Sequence, residues 1–367
     1  MGITDAEFMQ RAIALARRGH GQTAPNPMVG AVIVRDGEVV AEGYHARYGE
    51  AHAEAAALLA AGERSRGATV YVSLEPCTHT GKTPPCADAL LAAGVARVVV
   101  AARDPNPEAG GGVARLRSAG VEVVEGVEEE AARELNAPFF HHFESPPEQR
   151  RPWVALKLAL SIDGAVADAS GDSKWITGVE ARAAGHELRA GSDAVAVGVG
   201  TVLADDPSLT VRDAPAPRVP PIRVVFDREA RMPPGSRLVA SAREIPTLVM
   251  VRDPETAAAR ALEHSGAQLV RAPSLEGALE ELSRRGVRSL LVEGGARIAG
   301  ALLARALVDR LIIFQGAVLL GHGALGAFDH VPSESIARAP RYRVLERRSL
   351  GDDTMITYAI RSACLPA

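Results

Sequence analysis

A histidine, a glutamate and two cysteines stand where they could hold a metal ion and use it: His52-Ala53-Glu54, Pro76-Cys77 and Cys86. Zinc prefers imidazole nitrogen and thiolate sulfur, and a catalytic zinc keeps three protein ligands and one open position for water. One His and two Cys meet that requirement. A zinc so held makes hydroxide available near neutral pH, and Glu54 beside the imidazole is suited to move the proton. Taken singly, these residues say little. A lone His-x-Glu is ordinarily a solvated helix start, and a lone cysteine packs as a small hydrophobe. Their order along the chain is what points to zinc. A purely structural site would use four protein ligands, and His79 is the nearest candidate for a fourth.

The elements that must position these groups alternate between helix and strand. Thr4 and Glu7 form a capping box ahead of an apolar face of Phe8, Ala12, Leu15 and Ala16, with Gly19 as the stop. Residues 28–34 read as a strand, Asp36-Gly37 as a hairpin turn and 38–42 as the return strand. An Ala-rich helix opens at His52. Residues 69–73, 95–101 and 121–124 read as strands, and 85–93 and 127–136 as helices. Cys77 therefore follows a strand. Cys86 begins a helix, whose unpaired N–H groups would favour its thiolate. Such alternation predicts a mainly parallel sheet covered by helices.

Residues 144–152 are polar and proline-rich and read as a linker, which places domains at 1–146 and 152–367 with 147–151 between them. The α/β rhythm then restarts, with strands at Trp153–Leu160, 193–199, Ile222–Phe226, Thr247–Val251, 289–292 and 310–314. A helix at Val179–Ala190 is expected to be capped by Thr177 with Glu180. The proline-rich stretch 213–221 reads as a surface loop. No repeat at solenoid periods is present. Gly294-Gly295, between a strand and a helix, could turn backbone N–H groups toward a phosphate or serve only as a tight connection. No Gly-x-Gly-x-x-Gly follows a first strand, so a dinucleotide-binding Rossmann domain is poorly supported.

The composition excludes several classes. The chain has 367 residues, 47% hydrophobic, which suits two globular domains. Residues 1–147 hold 13 Lys and Arg against 19 Asp and Glu, and the remainder 28 against 26. Neither half has the basic excess of a protein that grips nucleic acid by its phosphates. Three scattered cysteines are no disulfide framework, and Cys364 has no assignable role. The start resembles neither a signal peptide nor a myristoylation site, and no apolar run is long enough for a membrane span. A cytoplasmic protein is expected. Only Lys82, Lys157 and Lys174 are lysines among the 41 basic residues, which marks them as places where a compact ammonium could be needed.

The first half is similar to zinc deaminases, which carry His-x-Glu followed by Pro-Cys-x-x-Cys, the Glu not being a ligand. Here eight residues separate Cys77 from Cys86. Asn26-Pro27-Met28-Val29-Gly30, Gly43-Tyr44-His45, Gly49-Glu50-Ala51-His52-Ala53-Glu54, Leu74-Glu75-Pro76-Cys77-Thr78-His79 and Gly81-Lys82-Thr83-Pro84-Pro85-Cys86 resemble the bifunctional riboflavin-biosynthesis deaminase-reductases, in which that long insert is usual. In the second half Leu156-Lys157-Leu158-Ala159, Ser161-Ile162-Asp163-Gly164, residues 170–177, residues 201–212 and Val292-Glu293-Gly294-Gly295 resemble the reductase domain of the same family.

The resemblance implies an α/β protein with an N-terminal cytidine-deaminase-like α/β/α sandwich and a C-terminal dihydrofolate-reductase-like α/β domain. It implies one Zn²⁺ per chain on His52, Cys77 and Cys86, with Glu54 as proton shuttle. Deaminase substrate contacts are implied at Asn26, His45, His79 and Lys82. For the reductase it implies NADPH, lined by Ala159, Trp175, Thr201, Asp205 and the run Gly295, Ala296, Arg297, Ile298, Ala299, Gly300 and Ala301. Lys157, Asp205 and Glu293 would stand near the ribose, and Ser173, Arg189, Leu209 and Arg212 would hold substrate, the two arginines suiting phosphate. The expected substrates are phosphoribosyl pyrimidines, deaminated and then reduced at the ribose, by a self-associating enzyme. The competing reading is a tRNA-type base deaminase with an accessory domain, since the zinc chemistry is shared. The acidic first half and the low aromatic content, 4%, argue against it.

Overall fold

The computed structural model describes residues 4–80, 84–328, 330–332 and 334–360. Lys82 and Cys364 lie outside the described residues. The chain divides into two compact units, residues 1–146 with 217–219, and residues 147–216 with 220–367. Among the described residues no helix is long and apolar enough to cross a membrane.

The first unit runs α1 (Asp5–Ala16), β1 (Gly30–Arg35), β2 (Glu38–Tyr44), α2 (Ala53–Ala61), β3 (Thr69–Leu74), α3 (Cys86–Ala93), β4 (Arg97–Ala102), α4 (Gly112–Ser118), β5 (Glu122–Glu125), α5 (Glu129–Leu135) and α6 (Ala137–Glu144). Its sheet has the order β2-β1-β3-β4-β5. The period-2 alternation of strand side chains sorts the core into two layers. Ala31, Ile33, Val70, Val72, Val98 and Val100 pack with α2, α3 and α4. Val32, Val34, Tyr71 and Val99 pack with α1, α5 and α6. The result is an α/β/α sandwich. The expectation of a mainly parallel sheet is corrected, because β1 is antiparallel to both β2 and β3, while β3, β4 and β5 are parallel. The Asp36-Gly37 hairpin reverses the chain at once, and α2 then carries it across β1 to β3.

Local chemistry sets the element ends. The Thr4–Glu7 capping box is present, and a short 3₁₀ turn at Arg17–Gly19 completes α1. Strand β1 begins at Gly30 rather than at Met28 because the Asn136 side chain takes the Met28 backbone: Met28 N donates to Oδ1 and Nδ2 donates to Met28 O, both at 2.8 Å. Asn136 also separates α5 from α6, a helix that the sequence reading, with its last helix of this unit ending at residue 136, did not foresee. Gly43 is an obligatory contact. A Cβ there would lie 2.4 Å from Ala53 O and 2.5 Å from Ala57 N, so only glycine lets α2 rest on β2.

The second unit runs β6 (Trp153–Leu160), β7 (Ala165–Ala167), α7 (Val179–Ala190), β8 (Ala194–Gly198), α8 (Val199–Asp205), β9 (Ile222–Phe226), α9 (Arg237–Ala240), β10 (Thr247–Val251), α10 (Ala257–His264), β11 (Gln268–Arg271), α11 (Leu275–Arg284), β12 (Ser289–Glu293), α12 (Ala296–Leu303), β13 (Arg310–Gln315), β14 (Leu325–Gly326), β15 (Tyr342–Leu350) and β16 (Asp353–Ile360). Nine strands form one sheet in the order β11-β10-β9-β8-β12-β6-β13-β16-β15, and β7 pairs with β14. All neighbours are parallel from β11 to β13, and the β15–β16 hairpin adds an antiparallel edge. Val154, Leu156 and Leu158 of β6 pack under α11 and α12, while Ala155 faces the layer of α7 to α10. The expected Thr177 cap is corrected. Gly178 is the N-cap of α7 and carries no side-chain cap; its N–H donates to Asp353 Oδ2 at 2.6 Å instead.

Gly43→Ala is expected to lower the stability of the first unit by about 1–3 kcal/mol, the usual cost of overpacking, read as a lower denaturant midpoint. An unchanged midpoint would mean that α2 can lift from β2 freely.

Candidate active sites

In the first unit three donors converge at the carboxyl ends of β3 and β4. His52 is the N-cap of α2 in extended conformation, so its ring leaves the helix at the start rather than along its side. Cys77 follows β3, and Cys86 is the first residue of α3. His52 Nδ1 lies 3.6 Å from Cys77 Sγ and 3.4 Å from Cys86 Sγ. All three donor atoms fall within 4.8 Å of one another, and both cysteines are free and buried. This is a donor set zinc favours. His79 is exposed and takes no part in the cluster.

The turn into Cys77 is pinned by Glu75, a residue the sequence reading passed over. Its buried carboxylate accepts from Asp104 N at 3.2 Å, Gly111 N at 3.1 Å and Val113 N at 3.0 Å. Gly112 lets α4 touch the same turn, since a Cβ there would lie 1.8 Å from Pro76 O. Nothing in the local sequence marks Glu75 apart from its place between a strand and Pro-Cys.

Two thiols in contact resist joint ionisation. Hydrogen bonding from Cys86 holds the Cys77 thiol down at about 4, and His52 helps. Cys77 beside it, with burial, pushes Cys86 well above the usual thiol range. The expectation that the amino end of α3 serves Cys86 is corrected: the Cys86 N–H donates to Cys77 Sγ at 3.5 Å, because that is where it points. Contact with Cys77 raises His52 above the ordinary imidazole value. Glu54, 3% exposed, is pushed up to about 7 by burial. A carboxyl poised there can hold or release a proton at neutral pH. Asp104, close by, is raised to about 6, chiefly by burial.

Asn26 and His45 form a chain. His45 is buried, and its Nδ1 is 3.0 Å from Ala51 O, which can only accept. Nδ1 therefore donates, and burial holds the ring below the usual imidazole value, favouring its neutral form. Nε2 then accepts from Asn26 Nδ2 at 3.2 Å, which turns the Asn26 carbonyl oxygen away from His45.

In the second unit the strand order reverses its direction of travel between β8 and β12: α8 leads outward to β9, and α12 leads the other way to β13. Such a switch point opens a crevice at the carboxyl ends of the strands. Gly294 (φ 69°) and Gly295 (φ 84°) make the turn into α12, and a Cβ on Gly295 would lie 3.1 Å from Thr201 Oγ1 of α8. Along α12, Ala296, Ile298, Ala299 and Gly300 are buried and Arg297 is exposed. This stretch therefore offers a ligand mainly its backbone N–H groups.

Around that crevice Lys157 of β6 stands in register with Glu293 of β12. Both oxygens of Glu293 are taken by Arg189, Nε at 2.5 Å and Nη2 at 2.8 Å. Burial would raise Glu293, but Arg189 beside it holds it below the ordinary carboxylate value. Burial lowers Lys157. Ser173 Oγ donates to Asp205 Oδ1 at 3.3 Å, and Lys174 Nζ to Asp205 O at 3.3 Å. Leu209 is buried with φ 51°. Arg212 is exposed, and its N–H donates to His186 Nδ1 at 3.2 Å. Ala159 is half-buried on β6. Trp175 is 70% exposed, with the Arg182 guanidinium 4.6 Å from its ring centre, so it is no core residue.

Comparison with known proteins agrees with both halves. Residues 152–356 match the family described as RibD C-terminal domain, and residues 3–102 match the cytidine and deoxycytidylate deaminase zinc-binding region. The chain is 42% identical over 357 residues to riboflavin biosynthesis protein RibD of Aquifex aeolicus, covering 96% of this chain and 98% of the other. It is 43% identical over 371 residues to RibD of Escherichia coli, covering 96% and 99%. Among solved structures, Acinetobacter baumannii RibD superposes with TM-score 0.82 at 39% identity, covering 98% of this chain and 99% of that one. A diaminohydroxyphosphoribosylaminopyrimidine deaminase/5-amino-6-(5-phosphoribosylamino)uracil reductase from Thermotoga maritima superposes with TM-score 0.83 at 36% identity, covering 97% and 99%. Matches along both halves favour a deaminase-reductase over a nucleic-acid base deaminase.

Cys77→Ser and Cys86→Ser are each expected to weaken Zn²⁺ binding by at least about tenfold, the lower figure for losing merely an outer-shell partner. Competition with a chromophoric chelator measures this, with circular dichroism as the check on folding. Wild-type affinity in both variants would show that the cluster does not bind the metal.

Proposed function

Given that the chain belongs to the RibD family of riboflavin-biosynthesis proteins, which join a deaminase to a reductase, we propose the following roles for its residues. His52, Cys77 and Cys86 hold one Zn²⁺. The observation that carries this is the convergence of one imidazole nitrogen and two sulfurs within 4.8 Å. When bound, the zinc activates water as a nucleophile. Glu54 takes one proton from the attacking water on a carboxylate oxygen and gives it to a ring nitrogen; it then takes the second proton, from the hydroxyl of the tetrahedral adduct, and gives it to the departing amino group, which leaves as ammonia. Its buried position suits the task, because burial keeps its proton affinity near neutrality. Asn26, oriented by His45, presents its carbonyl oxygen to a donor on the pyrimidine. His79 and Lys82 are substrate contacts, the Lys82 ammonium suiting the ribose phosphate.

The substrate of this unit is 2,5-diamino-6-(5-phosphoribosylamino)pyrimidin-4(3H)-one, and water replaces one amino group to give 5-amino-6-(5-phosphoribosylamino)uracil. The second unit reduces the ribosyl group to ribityl with NADPH, which supplies the hydride to C1′. Thr201, Ala159, Trp175, Asp205 and the α12 backbone would hold the cofactor at the crevice of the switch point. Lys157, Asp205 and Glu293 surround the ribose, and Ser173, Leu209 and Arg212 hold the substrate. A self-associating cytoplasmic enzyme acting on small molecules completes this reading.

Glu54→Gln is expected to slow ammonia release by about 10²–10⁴-fold, the usual contribution of a positioned acid-base group. It should retain zinc and still oxidise NADPH when given the deaminated intermediate. Ammonia release within a few fold of wild type would overturn the role of Glu54.

A further inference from the structure

Arg189 is the residue whose surroundings depart most from its expected part in gripping phosphate. It lies in the last turn of α7. Its Nε and Nη2 face the two oxygens of Glu293 in a parallel fork, and Nη1 donates to Thr210 O at 2.8 Å. The two side chains are 15% and 12% exposed. A bidentate guanidinium–carboxylate pair fixes the plane of the carboxylate as well as its charge. A phosphate arriving at Arg189 would have to compete with Glu293 for the same donors.

The consequence falls on Lys157. It is the register partner of Glu293 on the adjacent parallel strand, where an ion pair between the two would be the ordinary outcome. Its Nζ lies instead 5.2 Å from the centre of the Phe314 ring of β13. Among the described residues no hydrogen bond or ion pair closes on the Lys157 side chain, and Glu293 and Arg189 act on it only through space. The charged and titratable groups around it are Glu293 on β12 and Arg189 on α7, with His186 of α7 acting on Glu293.

We propose that Arg189 is a positioning residue of the reductase: by occupying both oxygens of Glu293 it leaves the Lys157 amine unpaired, as the group that exchanges a proton with the sugar. This rests on the reading of the second unit as a reductase. As the C1′–O4′ bond breaks and the C1′–N double bond forms, Lys157 takes the proton from the exocyclic nitrogen and gives it to O4′. The open imine is then ready for hydride. Without Arg189, Glu293 turns to Lys157 and holds it as an ammonium.

The test is single-turnover NADPH oxidation, followed by absorbance across pH, with Arg189→Gln and Arg189→Lys and with the aminouracil substrate in its phosphorylated and dephosphorylated forms. Arg189→Gln is expected to move the lysine-dependent limb of the rate profile upward by about one pH unit or more, as an opposite charge newly facing a lysine does. The rate at neutral pH should fall with both substrate forms, and added guanidinium ion should restore part of it in Arg189→Ala. Arg189→Lys, which cannot form the fork, should show the same shift in smaller measure. A raised KM confined to the phosphorylated substrate, with the limb unmoved, would overturn the proposal in favour of phosphate binding. A wild-type protein that oxidises no NADPH with either form would sink the reductase reading itself, and this proposal with it.

Discussion

Two sulfurs and one imidazole nitrogen held within 4.8 Å of one another are a costly arrangement in a protein that has nothing else to gain from it. Two thiols in contact resist joint ionisation, and the burial that surrounds them makes charge dearer still. The contact between the two sulfurs lowers Cys77 and raises Cys86. A divalent cation resolves this tension by letting both sulfurs ionise and by releasing their protons. The cluster is therefore best understood as a site assembled for a metal, and much of the first unit serves to keep it assembled.

Each donor enters from a different element, so each needs its own support. Gly43 seats α2 and hence His52 and Glu54. Glu75 ties three backbone N–H groups to the turn that presents Cys77. Asn136 clamps the segment that carries Asn26. None of the three belongs to the proposed chemistry, yet each fixes a group that does. The second unit follows the same plan with charge in place of backbone contact, since Arg189 sets where Glu293 points and what Lys157 meets.

The sequence disclosed the parts whose signal is local. His-Ala-Glu at a helix start, Pro-Cys after a strand and Cys at the next helix start are short-range patterns, and strand runs such as Ile222–Phe226 and Thr247–Val251 stand at their expected bounds. What stayed hidden depends on distant partners. The N-cap of α7 is Gly178, whose N–H is held by an aspartate of β16, 175 residues away, and no local rule could choose it over Thr177. The antiparallel place of β1 follows from how α2 crosses the sheet. The edge strand β15 carries Glu346, Arg347 and Arg348, all exposed, so it lacks the apolar alternation by which strands are recognised. The Arg189–Glu293 pair joins residues 104 apart, and from sequence the resemblance offered the arginine only as a substrate ligand suited to phosphate.

The central claim is that zinc sits on one nitrogen and two sulfurs and keeps one position open to solvent. X-ray absorption at the zinc edge of the purified protein tests it most directly. The account predicts two sulfur neighbours at about 2.3 Å and light-atom neighbours at about 2.0–2.1 Å, one of them exchangeable. A metal shell without sulfur, or one closed by four protein ligands, would contradict it.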